Sequence, residues 1–243
     1  MRWYTERIVQ RFNTASILAA VWLLTATVAL SGCKADPPPV ASHAPFAVQP
    51  ATSSIAADSR PVIACFGDSI TAGLGVDPTV NYPADLQHEL DTRGYRYRVA
   101  NLGVSGETTK DGLERVSQVL ARKPDLVIVE FGGNDGLRGL PVEESQKNLL
   151  GIVSALRQGG TKVLLVAITL PKQYGPDYIS RFEAIYPAIA RQANVPLLGF
   201  AQFSKGMFAE PSNVQDDGMH PTAAGDAIIA KNVANNLVPM LKR

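Results

Sequence analysis

Four short apolar runs, each closed by a turn and parted from the next by a stretch of helical character, constrain this chain more than any other feature. Val62-Ile63-Ala64-Cys65-Phe66 is uninterrupted and stops at Gly67. Leu126–Val129, Val163–Ile168 and, more briefly, Val195–Leu198 repeat the pattern. Runs this short and this continuous suit strands covered on both faces, as in a parallel sheet. Tyr95–Ala100 is more polar and alternates, which predicts a fifth strand at an edge. Between the strands, Leu149, Ile152, Val153 and Leu156 follow the i, i+3, i+4, i+7 spacing of a buried helical stripe, stopped by Gly159-Gly160. Pro83–Arg93, Thr109–Ala121 and Tyr178–Gln192 have helical composition and length. A last helix is expected from Thr222, with Ile229, Val233, Leu237 and Met240 on one stripe. Strand–helix alternation predicts an α/β fold, a mostly parallel five-stranded sheet between two helical layers. In such sheets ligands bind beyond the C-terminal ends of the strands, so chemistry is sought in those loops.

Four loops carry it. The first strand runs into Asp68-Ser69-Ile70-Thr71-Ala72-Gly73, which exposes a serine just past a buried strand. This is not a G-x-S-x-G elbow, because Thr71 stands where the second glycine belongs. The second loop, Asn101 to Thr108, holds Gly103 and Gly106, where a backbone N–H can approach a ligand closely. The third, Glu130-Phe131-Gly132-Gly133-Asn134-Asp135-Gly136, brings the Asn134 amide to the same edge, although Asn-Asp-Gly is also ordinary turn chemistry. The fourth, Asp216-Asp217-Gly218-Met219-His220-Pro221, sets a carboxylate three residues before a histidine. A serine nucleophile needs a base to take its proton and a carboxylate to orient that base. His43 lies in a proline-rich stretch and His88 in a polar part of a helix, so His220 is the candidate base. Because a base must be neutral, activity is expected to fall on acidification.

Together the four loops resemble the four sequence blocks of the GDSL, or SGNH, hydrolases. The resemblance implies a flavodoxin-like three-layer α/β/α sandwich. It places Ser69 at the nucleophile, Asp217 and His220 at the other triad positions, and Ser69, Gly106 and Asn134 at the oxyanion hole. It selects Gly106 over Gly103 and Asp217 over Asp216, which spacing alone leaves open. Within the family the chain is most similar to multifunctional bacterial thioesterases that are also lysophospholipases and arylesterases. That similarity extends through Val129–Gly139, Leu170-Pro171, Tyr174-Gly175 and Ile185-Tyr186-Pro187. It implies a small acyl ester or thioester substrate, no cofactor and no metal. It also implies a mobile loop over Gly136–Pro141. Leu137, Leu140 and Ile168–Leu170 are candidates for an acyl groove or for core. Two other classes stay open: an O-acetyl esterase of envelope polysaccharide, and a silent acyl-binding lipoprotein. Ile70 departs from the family's usual leucine.

The first quarter of the chain has a different character. Arg2, Arg7 and Arg11 precede the uncharged apolar or small-residue run Ala15–Leu30, shorter than the roughly 20 residues that span a bilayer. It ends Leu30-Ser31-Gly32-Cys33, which resembles a bacterial lipobox. The expected organisation is a signal peptide over 1–32, a lipidated Cys33 opening a Pro/Ala-rich linker over 33–60, and a hydrolase domain over 61–243. The resemblance places the domain in the bacterial envelope, anchored by lipid and facing the periplasm, and a monomer is expected. Cys65 reads as a small core residue. With 23 Lys+Arg against 22 Asp+Glu, the balance excludes a nucleic-acid binder driven by net charge and points to no charged partner. Two cysteines and three histidines make a disulfide scaffold or a closed zinc site improbable.

Overall fold

A computed structural model describes residues 58–243. The expected signal peptide, the lipidation site Cys33, most of the linker and His43 lie outside the described residues. Five parallel strands form one sheet in the order β2-β1-β3-β4-β5: β1 (Val62–Gly67), β2 (Arg98–Asn101), β3 (Leu126–Glu130), β4 (Lys162–Val166) and β5 (Leu197–Leu198). Every residue of β1 and β3 is buried, which explains why neither shows alternation. The helices are α1 (Ser69–Ala72), α2 (Tyr82–Thr92), α3 (Thr109–Leu120), α4 (Gly133–Leu137), α5 (Val142–Gln158), α6 (Pro176–Ala193), α7 (Phe200–Phe203) and α8 (Ala223–Leu237).

The order fixes the layers. From β1 the chain crosses to β2 on one side, then returns past β1 to β3, β4 and β5 on the other. Because parallel crossovers are right-handed, α2 covers one face and α3, α5 and α6 the opposite one. The observed packing agrees: α8 lies against α2, while α5 contacts both α3 and α6. The result is the three-layer α/β/α sandwich. Its strand order reverses between β1 and β3, where the two following loops diverge and leave a crevice.

Several boundaries differ from the sequence expectation, among them the end of β4 at Val166 instead of Ile168 and the start of α6 at Pro176 instead of Tyr178. Three have a clear cause. β2 starts at Arg98, not Tyr95, because Gly94 (φ +78°) is still closing the end of α2 and the Tyr95 N–H donates to Leu90 O. Tyr95 and Tyr97 are buried as core. β5 has only two ladder residues, since Pro196 has no N–H to donate. α8 ends at Leu237, and Met240 falls in a 3₁₀ turn beyond it. Cys65 is fully buried in β1, and burial pushes its thiol up to about 12, which leaves it inert at neutral pH. No helix among the described residues is long and apolar enough to cross a membrane.

Candidate active site

The chain leaves β1 through Gly67 and turns at once into α1. Asp68 caps that helix, its Oδ1 accepting the Ile70 N–H at 3.3 Å. Ser69 is therefore the first helical residue, where a backbone N–H has no intrahelical acceptor and points outward. Its Oγ lies 2.8 Å from Nε2 of His220, 151 residues away.

His220 arrives on a clasped turn. Val214 bridges Pro221, and the Gln215 N–H donates to His220 O at 2.8 Å. The Gln215 side-chain amide donates to Leu74 O and to Pro221 O, tying this turn to the segment after α1. Inside the turn, Asp217 Oδ1 accepts the N–H groups of Met219 (2.8 Å) and His220 (3.0 Å), and Oδ2 lies 2.5 Å from His220 Nδ1. The contact to the ring is made by Asp217, not Asp216. Burial raises the Asp217 carboxyl, but the hydrogen bonds from the His220 ring and the two N–H groups outweigh that and hold it below the usual carboxylate range. His88 is exposed on α2.

Two loops complete the rim. After β2, Val104 to Glu107 forms a turn closed by Glu107 N–H to Val104 O, with Gly106 at φ +84°. That conformation, at the third position of the turn, favours glycine. Gly103 serves another purpose. A Cβ there would stand 2.2 Å from Ala72 N, so glycine lets this loop rest directly on α1. After β3, the Asn134 amide donates to Glu107 O at 2.9 Å and points toward Asp68 Oδ2 at 3.4 Å. Asn134 thus links the first three loops. Arg115 reinforces them: it pairs with Glu107 (2.6 Å), donates to Leu102 O (2.9 Å), and stacks over Phe66 at 4.5 Å. Sequence reasoning did not find Arg115, which lies mid-helix with no motif around it.

A cavity of about 350 Å³ opens beside Ser69 and His220. Leu137, Ile168 and Leu170 line it as sequence suggested, but Leu140 does not and is exposed. Phe200, Phe208 and Met219 line it as well; the two phenylalanines sit in segments without periodicity and gave no sequence signal, whereas Met219 lies within the fourth loop. The Gly136–Pro141 segment, expected to be a mobile loop, is the last turn of α4 and a tight turn after it. Tyr174 Oη donates to Leu137 O at 2.8 Å, and Arg138 donates to Gly106 O at 2.8 Å.

Beneath the serine lies a second feature that sequence missed. Glu130, paired in register with Gly67, is fully buried and accepts the Thr71 hydroxyl at 2.8 Å; Tyr82 Oη lies 3.1 Å from the same hydroxyl. Burial, then the neighbouring Asp68 carboxyl, drives Glu130 well above the ordinary carboxylate range. Burial likewise lifts Asp68 to about 6. Glu130 is therefore protonated at neutral pH, whereas Asp68, raised only to about 6, is mostly ionised there. Among the described residues, no three His, Cys, Asp or Glu side chains are grouped to hold a metal ion.

Residues 65–228 match the profile of the GDSL-like Lipase/Acylhydrolase family. Esterase TesA of Pseudomonas aeruginosa is 43% identical over 72% of this chain and 87% of its own. The Escherichia coli protein named thioesterase 1/protease 1/lysophospholipase L1 is 36% identical over 72% of this chain and 82% of its own. The crystal structure of TesA superposes with a TM-score of 0.69 at 41% identity, covering 74% of this chain and 99% of that one.

Proposed function

The chain belongs to the GDSL-like lipase/acylhydrolase family and is an esterase-type acyl hydrolase, and from that premise we propose that it cleaves acyl esters and thioesters through Ser69, His220 and Asp217. One observation carries the reading. A serine oxygen, both imidazole nitrogens and a carboxylate stand in unbroken hydrogen-bond series, 2.8 and 2.5 Å, at the mouth of an apolar cavity.

The steps follow from that series. Ser69 Oγ attacks the acyl carbon as its proton passes to His220 Nε2, while Asp217 holds the Nδ1–H tautomer and stabilises the imidazolium. The carbonyl oxygen becomes an oxyanion, met by the N–H groups of Ser69 and Gly106 and by the Asn134 amide. The bond to the leaving oxygen or sulfur breaks, and His220 Nε2 returns the proton to that atom. Water then attacks the acyl-serine with His220 again as base, releasing the acid and restoring Ser69. All these groups come from one chain, which fits a monomer.

Ile168, Leu170, Phe200 and Phe208 around the cavity favour aryl esters, medium-chain acyl thioesters and lysophospholipids over acetyl groups on polysaccharide. The test is a p-nitrophenyl ester series. Rates that rise from acetyl to octanoyl support the acyl-chain reading; rates that collapse beyond acetyl support the O-acetyl esterase instead. The basic start, the run Ala15–Leu30 and Leu30-Ser31-Gly32-Cys33 support export and acylation at Cys33, which would hold the domain at the bacterial envelope. Labelled palmitate that enters wild type and Cys33→Ser equally would contradict that anchor.

A further inference from the structure

The charge of this domain is near zero only as a sum. Residues 58–243 carry 19 Lys/Arg and 20 Asp/Glu, obtained by removing four cations and two carboxylates in residues 1–57 from 23 and 22. The fold segregates them. Arg96 and Arg98 enter β2, Arg122 and Lys123 precede β3, and Arg157 and Lys162 flank the turn into β4. Arg191 ends α6, and Lys242 and Arg243 end the chain at the same side. These nine are exposed, and none is in an ion pair among the described residues. Only four carboxylates share that end. Asp58, Glu89 and Asp91 are engaged by Arg60 and Arg93, and Asp125 accepts the Val62 N–H at 3.1 Å.

One cation near each helix C-terminus would complement the helix dipoles. Nine unpaired cations exceed that need and produce an outward positive field, while 16 of the 20 carboxylates lie elsewhere on the domain. The same end has a depression of about 390 Å³, lined by Lys123, Lys162 and Lys242 together with Gly159 and Gly160. Residues 1–57, with the uncharged run Ala15–Leu30, join the domain at Asp58 on this end.

We propose that the end of the domain where the strands begin is a docking face for an anionic phospholipid bilayer. Positive charge, a headgroup-sized depression and the entry point of the chain coincide there. The catalytic cavity lies at the opposite ends of the strands, at least about 17–20 Å away. Docking this way presents Ser69 to the aqueous compartment, so acyl substrate arrives from solution or as a dispersed monomer. The inference concerns binding alone and stands whether or not the catalytic roles do.

The test uses residues 58–243, which contain the whole sheet and core; the TesA crystal chain, covered to 99% by a stretch of this length, is a domain of the same extent. Co-sedimentation compares vesicles of pure phosphatidylcholine with vesicles containing phosphatidylglycerol. Binding is expected to the anionic vesicles only, and to be lost in high salt. Arg122→Gln, Lys123→Gln, Arg157→Gln and Lys242→Gln together should weaken it more than about a hundred-fold, at about five-fold per cation. Turnover of a soluble ester should be unchanged, which also shows that the variant is folded. Lys147→Gln with Lys172→Gln, away from this face, should bind as wild type. Absence of binding to anionic vesicles in low salt, wild-type binding by the four-fold variant, or tighter capture by soluble heparin than by vesicles would each overturn the proposal.

Discussion

His220 Nδ1 lies 2.5 Å from Asp217 Oδ2, and the other oxygen of the same carboxylate accepts the His220 backbone N–H. One side chain therefore fixes both the ring and the turn that carries it. Asp217→Asn keeps the shape but can offer an N–H to the ring and so select the wrong tautomer. Turnover should fall about 10³- to 10⁴-fold with little change in thermal midpoint. Because the Asp217 carboxyl is held below its usual range, its contribution is present at neutral pH and lost only as pH falls through that lowered value. A loss of less than ten-fold in kcat would contradict the orienting role.

Asn134→Ala removes an amide that donates to Glu107 O and, in the proposed mechanism, meets the oxyanion. A drop of about 10²- to 10³-fold in kcat is expected, with KM for the ester changed far less. Steady-state kinetics on purified protein decide it, and near wild-type kcat would remove Asn134 from the oxyanion hole.

Glu130 holds Thr71, and through it the turn carrying Ser69. Its carboxyl is raised in the folded state, so its stabilising contribution is full only below the unfolded carboxylate pKa of about 4.3 and is lost as pH rises from there through the raised value. Glu130→Gln should leave neutral-pH stability within about 1 kcal/mol, whereas Glu130→Ala should cost about 2–4 kcal/mol through a cavity and an orphaned hydroxyl. Urea unfolding of the two variants at neutral pH checks this; equal losses would show that the carboxyl's shape is not what matters.

Asp226 is fully buried on α8, and neither carboxyl oxygen has a hydrogen-bond partner among the described residues. Burial raises it to about 7. The folded state therefore binds a proton that the unfolded state has released, and stability is lost as pH rises from about 4 through 7. Asp226→Asn should be neutral in acid and stabilise by up to a few kcal/mol above that range. Parallel thermal or urea profiles for the two proteins at all pH values would contradict this.

How much of this was legible follows from what each residue answers to. β1 and β3 stood out because strands buried on both faces have no polar positions to interrupt them. β2 was misplaced because Tyr95 and Tyr97 reach the core from a turn, where burial mimics strand alternation. The four loops were visible because Ser69, Asn134, Asp217 and His220 each sit beside turn residues that punctuate the sequence. Their supports were not. Glu130 and Thr71 meet across 59 residues, and Arg115 reaches Glu107 from mid-helix. Phe200 and Phe208 join the cavity from segments without period. The basic end was hidden for another reason, since a sum of charges carries no position and only the βα winding gathers those cations.

The most direct test compares p-nitrophenyl ester hydrolysis by wild type and Ser69→Ala, with circular dichroism confirming equal folding. Removing Oγ takes away the atom that bonds to the acyl group while leaving the cavity, Asn134 and the His220–Asp217 pair in place. The expected result is a loss of at least about 10³-fold in kcat. Equal rates from the two proteins would contradict the assignment of Ser69 as nucleophile and the acyl-transfer mechanism built on it.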